Sequence, residues 1–320
     1  MNISRSPMDK KTWAAISVVS LGIFYFNLLW KTTGDIDSLT TDLLFYSAIC
    51  ALLWRRKDSL VCNSDLVSSF VGLSLLTILL IKSTTLFSFE ATLIPLIPFF
   101  AAISLALISS GIRGIGQYKK EIFFAWFLFF PTGVIGHFID GLIQITVLNA
   151  KLATYILYYV GFNVANQGNQ VILALPELGQ FKAIVDYPCA GVPMILLMLK
   201  LSLLLVCFFP FNKSQKILIP TVSVAIGFTL GVIRVCILTL LIPQPAKFDY
   251  WHGSSGDGIF STLAVVIFSG FAYWMLEKAN SSVNNNQLVV PSELSVINDR
   301  QAISDEKVAT NNQQRTANYD

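Results

Sequence analysis

Runs of about twenty apolar residues recur along this chain from Trp13 onward, and they constrain its fold more than any other feature. A helix of about 20 residues crosses ~30 Å of hydrocarbon, so each run is read as a candidate membrane span. On that template about eight spans are expected, at residues 13–30, 42–54, 66–81, 91–112, 122–143, 190–210, 217–242 and 259–276. The second is the shortest. Composition agrees, because 54% of residues are hydrophobic and only 13% charged, where soluble domains carry about a quarter charged residues. The expected fold is an all-α integral membrane protein.

Basic residues fall between the runs in an uneven pattern. One set of loops carries Arg5, Lys10 and Lys11, then Arg55, Arg56 and Lys57, then Arg113, Lys119 and Lys120, then Lys213 and Lys216. The alternate loops carry only Lys31, Lys82, Lys151, Lys182 and Lys247. The positive-inside rule then predicts a multi-pass protein with both termini cytoplasmic. The first run is longer than a signal-peptide core and lacks a small-residue cleavage site, so it is read as a retained span. Residues 1–12 form the cytoplasmic N-terminus and 13–277 the membrane domain. Residues 278–320, rich in Asn, Gln and Ser, are too polar to build a core and are expected to be a disordered cytoplasmic tail.

A net charge of +3 gives no electrostatic footprint for nucleic acid. The five cysteines show neither CxxC nor Cys/His spacing, so neither a disulfide framework nor a metal site is expected. Metalloprotease, serine-hydrolase and nucleotide-binding motifs are missing too, and no cofactor is expected.

The loop between the fifth and sixth runs is the longest. Residues 145–160 have apolar positions at near-helical spacing, as in a helix lying in the membrane interface. Residues 171–175 and 181–185 are β-prone runs flanking Pro176 and Gly179, which predicts a small hairpin delivering the chain to Cys189.

Three chemically able residues fall at one side of the predicted bundle. Cys189, after Pro188 at the start of the sixth run, lies where a helix N-terminus favours a thiolate, although a free cysteine also packs as a small hydrophobe. Arg234 interrupts the seventh run, and an arginine inside a span marks either a functional site or an ion pair with another span. Its fork suits a carboxylate or an oxyanion. His252 lies in the next outer loop, Phe248 to Gly258, where it is either an acid/base group or a passenger in an aromatic belt. His137 and Asp140, one turn apart, are read as a structural pair or a relay. Lys200, about three turns below Cys189 on nearly the same face, is expected to point into the bundle.

Taken together, Cys189-Ala190-Gly191-Val192, then Gly231-Val232-Ile233-Arg234, then Tyr250-Trp251-His252 followed by Gly258-Ile259-Phe260-Ser261 resemble the exosortase/archaeosortase family. The aromatic-His-Gly segment looks most like its cyanobacterial branch, the cyanoexosortases. The resemblance covers roughly residues 122–276. It implies a protein-sorting cysteine transpeptidase, a thiol protease of the membrane. Its partners are exported proteins bearing a C-terminal signal: a Pro-Glu-Pro (PEP-CTERM) type motif, a membrane helix and a basic end. Cys189 would be the nucleophile forming a thioacyl intermediate, His252 the acid/base, and Arg234 the oxyanion or substrate-orienting group, all at the outer face of a bacterial inner membrane. The commoner family pattern has Ser after the cysteine, where this chain has Ala190. Two other readings keep their place beside it. One is a transporter binding an anionic solute through Arg234 and Lys200, and the other a cysteine acyltransferase using the same three residues.

Overall fold

A computed structural model describes residues 10–34, 36–85 and 91–279. Eleven α-helices follow one another among the described residues: α1 (Lys10–Thr33), α2 (Ile36–Arg55), α3 (Leu66–Thr85), α4 (Ile97–Gly114), α5 (Lys119–Phe129), α6 (Thr132–Ile143), α7 (Ile145–Val160), α8 (Val192–Phe208), α9 (Lys213–Leu241), α10 (Pro245–His252) and α11 (Ser254–Ala279). The N-terminal residues before Lys10 and most of the expected tail, from residue 280, lie outside the described residues.

The molecule is an all-α membrane protein with one small sheet. Five described helices are long and apolar enough to cross a membrane, or six if the bent pair α6–α7 is one span, so the count of eight is not reached. Three sequence features account for the difference. Pro131 breaks the predicted fifth span. Phe130 before it takes an extended ψ of 134°, as a residue before proline does. The chain then bends by 67° between α6 and α7, at Gln144, which is left-handed with φ 55°. Second, a 36-residue apolar stretch, Ile94–Phe129, joins α4 to α5 across a kink at Gly111. Third, α8 has only 17 residues and begins at Val192 rather than Ala190. The run expected at 42–54 is a full 20-residue helix, α2, but its polar first half dilutes its apolar character.

Two apolar clusters set the site. In one, Ala150, Ala153 and Leu157 of α7 meet Val192, Ile195 and Leu196 of α8, Val232 and Val235 of α9, and Val171 and Val185 from the sheet region. In the other, Met194 and Met198 of α8 and Leu230 of α9 meet Phe260, Ala264 and Phe268 of α11. Close approach of α8 to α9 depends on small residues. A Cβ on Gly227 of α9 would stand 2.9 Å from the Ile195 Cα, and one on Gly231 would stand 2.9 Å from the Ala190 oxygen. Glycines four residues apart let two helix backbones meet where lipid gives no hydrophobic drive to association.

The predicted 171–185 hairpin exists and gains a third strand. β1 (Val164–Gln167), β2 (Gln170–Leu175) and β3 (Gly179–Ile184) are antiparallel in the order β1-β2-β3. The helix expected at 145–160 is α7 over that same range.

Candidate active site

Strand β3 runs through Val185 into the turn at Asp186–Gly191 and then into α8. The Ala190 N–H donates to the Asp186 oxygen at 2.9 Å and closes that turn. Gly191, with φ 70°, starts the helix from a left-handed conformation. This arrangement carries Cys189, 8% exposed, to the end of α8 nearest the sheet. Beneath it, fully buried Asn149 of α7 donates from Nδ2 to the Ala190 oxygen.

Helices α10 and α11 bring the partner. The loop predicted from Phe248 to Gly258 is almost wholly helical: α10 takes in Phe248 to His252, and after Gly253 the chain is helical again from Ser254. A Cβ on Gly256 would fall 2.1 Å from the Trp251 oxygen, so the joint between the helices depends on the missing side chain. Phe248 stacks on the His252 ring, centroids 5.1 Å apart at 16°. That stack orients the imidazole so that Nε2 lies 3.2 Å from Cys189 Sγ. The two residues are 63 positions apart in sequence.

Arg234 spans both sides of this pair. Its Nη1 donates to the Pro188 oxygen at 3.3 Å, next to Cys189, and its Nη2 to the His252 oxygen at 3.3 Å. Nη1 also pairs with Asp257 Oδ1 at 2.5 Å. The guanidinium side chain is 3% exposed and the Asp257 side chain 50%. The Arg234 Nε is buried without a hydrogen-bond partner among the described residues. Cys189, Arg234 and His252 therefore do come together. Asp257 and Asn149 belong to the same constellation and were not foreseen.

Burial pushes the Cys189 thiol above its ordinary value, and the Arg234 guanidinium opposes that rise. Desolvation disfavours the thiolate, so the cysteine rests as a thiol. A base within hydrogen-bond reach is what such a thiol needs for attack, and His252 Nε2 is in that position.

The remaining candidates lie elsewhere. His137 stacks on Tyr187, centroids 4.5 Å apart, while Asp140 accepts from Thr146 N at 2.8 Å and from Thr146 Oγ1 at 2.9 Å. Each thus has its own partner, with Asp140 fixing the start of α7. Buried Lys200 donates from Nζ to the Leu128 oxygen at 2.7 Å and the Phe130 oxygen at 3.3 Å. It satisfies carbonyls at the C-terminal end of α5, where the helix stops before Pro131.

The family model described as transmembrane exosortase (Exosortase_EpsH) matches residues 30–269 of the 320. It reaches well before residue 122, into the end of α1, and takes in the whole Cys189–Arg234–His252 constellation. No curated protein and no solved structure matches the chain.

Proposed function

Because the chain belongs to the transmembrane exosortase family, we propose that it cleaves a PEP-CTERM-type sorting signal from exported proteins, using Cys189 as nucleophile. Membership makes it a multi-pass membrane protein of the protein-sorting transpeptidase class. The cysteine mechanism and the signal are our reading. The observation that carries it is the 3.2 Å contact between Cys189 Sγ and His252 Nε2.

In the first step Sγ forms a bond to the carbonyl carbon next to the signal while its proton passes to His252 Nε2. The imidazolium returns that proton to the leaving amine as the C–N bond breaks, and the thioacyl enzyme remains. An amine acceptor or water then attacks the thioester, its proton going to His252 and on to the departing Sγ. Arg234 braces both partners through Pro188 and His252, and its unpaired Nε–H is the donor left to meet the developing oxyanion. The cytoplasmic termini and the outward-facing site are proposed from the distribution of Lys and Arg, which is densest in the loops on the other side.

The transporter reading needs two cations open to a solute. Lys200 is held by carbonyls and Arg234 by Asp257 and two more carbonyls, which weighs against it.

The test co-expresses an exported protein carrying a Pro-Glu-Pro motif, a membrane helix and a basic end, with wild type, Cys189→Ala or Cys189→Ser. Intact mass is expected to show loss of the tail with wild type alone. Equal processing by all three would remove Cys189 from the mechanism.

A further inference from the structure

Strand β3 is an edge of the sheet, and its free side leads straight to Cys189. Two bonds fix which backbone groups face where. The Val185 N–H donates to the Asn169 oxygen and the Ala174 N–H to the Asn163 oxygen, both at 2.9 Å. In an antiparallel ladder, alternate residues exchange both bonds with the neighbouring strand. With Val171 opposite Ala183 and Leu173 opposite Phe181, the backbone groups of Phe181 and Ala183 face β2. Those of Gln180, Lys182 and Ile184 face away, and none has a hydrogen-bond partner among the described residues. All three side chains are exposed, Ile184 at 58%. On the other side Val171 and Leu173 are fully buried, so the sheet is anchored by one face.

We propose that the outer edge of β3 is the docking surface for the substrate polypeptide, whose extended segment before the cleaved bond adds to the sheet as a fourth strand. This rests on the peptidase reading above. Three arguments favour an extended peptide as the occupant. Outward N–H and C=O groups on every second residue are the pattern an incoming strand satisfies. The edge is continuous with the site, since the turn carrying Cys189 follows Val185 directly. Lys182 in the middle of the edge repels a second copy of the same edge but attracts a strand carrying a carboxylate.

Direction follows from chain order. β3 runs toward Cys189 and on into the membrane helix α8. A substrate whose cleaved segment precedes its own membrane helix runs the same way, so the added strand is parallel to β3. Its residues beyond Ile184 must then cover the turn to Cys189, a distance that roughly two to four extended residues bridge.

Lys182→Pro tests this with little disturbance, because it removes only an outward N–H, and proline is tolerated where the N–H of an edge strand faces out. Lys182→Ala keeps the backbone donor. With the motif–helix–basic-tail protein as substrate, Lys182→Pro is expected to lower kcat/KM about tenfold, the weight of one main-chain bond, mainly through KM. Lys182→Ala is expected to stay within about threefold, and both should leave the rate of Cys189 alkylation by iodoacetamide unchanged. In a second arm, Ile184→Cys in a Cys189→Ala, Cys207→Ser background is cross-linked to single cysteines placed along the substrate segment before its helix. Alternate positions should cross-link, as side chains of a paired strand do. Wild-type processing by Lys182→Pro, or even cross-linking at consecutive positions, overturns the docking mode. Failure of the peptidase reading looks different, because wild type then leaves the substrate intact.

Discussion

Gly231→Ala should slow processing although it adds only a methyl group in the interior of α9 and touches no reacting atom. In an open helix the change would stabilise, by roughly 0.5–1 kcal/mol, because glycine loses more backbone freedom on folding. Here the new Cβ would stand 2.9 Å from the Ala190 oxygen and 3.1 Å from the Gly191 Cα, both backbone atoms that no rotamer can move. Overpacking of this kind costs about 1–3 kcal/mol, more than the helix propensity returns. Relief requires the Ala190 carbonyl to move, which disturbs the Asn149 bond it accepts and carries the adjoining Cys189 with it. Sγ lies 3.2 Å from His252 Nε2, and a shift of several tenths of an ångström takes that contact to the limit of a hydrogen bond. Since a misplacement of ~1 Å can cost about 10²-fold in rate, a loss of roughly tenfold is expected. Processing rate of the purified variant and its Tm in detergent are the assays. A raised Tm with unchanged processing would refute the claim that α9 sets the position of the nucleophile.

Arg234→Lys keeps a positive charge but not the fork, so processing should fall about 10²-fold because one ammonium cannot reach the Pro188 and His252 oxygens together. The pH profile of Cys189 alkylation separates charge from fork: Arg234→Gln should move the midpoint up, since the guanidinium now lowers that thiol, and Arg234→Lys should leave it near wild type. Asp257→Asn leaves a buried guanidinium without its counter-charge, yet Asp257 is half exposed. Stability is therefore expected to drop by only about 1 kcal/mol, with processing reduced several-fold, read from Tm and rate together. Lys200→Met leaves the Leu128 and Phe130 carbonyls unsatisfied and should cost about 1–3 kcal/mol in Tm-derived stability. Specific activity of the folded fraction should remain, an outcome the transporter reading forbids.

How much of this was legible in the sequence depends on which physical signal each part carries. Cys189, Arg234 and His252 were found because each sits near the same end of successive apolar runs, and charge asymmetry gives those ends a common side. The broken fifth span was missed although Pro131 stands in it, because hydropathy averages over a single residue. Asp257 was hidden by its neighbours Gly253, Ser254, Ser255, Gly256 and Gly258, all weak helix formers. Packing of Gly256 against Trp251 overrides that propensity and turns the segment into the start of α11. A clue was present: Arg234 has no acid in its own helix, so a carboxylate had to come from a neighbouring one. Asn149 is one polar residue among the apolar positions of 145–160, with nothing local to mark it, and only the tertiary contact with the Ala190 oxygen buries it completely. Strand β1, Val164-Ala165-Asn166-Gln167, is too short and polar to announce itself and exists by pairing with β2.

The most direct test of the account is capture of the covalent intermediate. Purified enzyme and the motif–helix–basic-tail substrate are mixed, quenched in acid and digested, and the peptide containing Cys189 is examined by mass spectrometry with and without hydroxylamine. The account predicts a substrate acyl group on Cys189 that hydroxylamine releases as a hydroxamate, and none with Cys189→Ala. Processing that proceeds at the wild-type rate in Cys189→Ala, or an acyl group found on another residue, would contradict it.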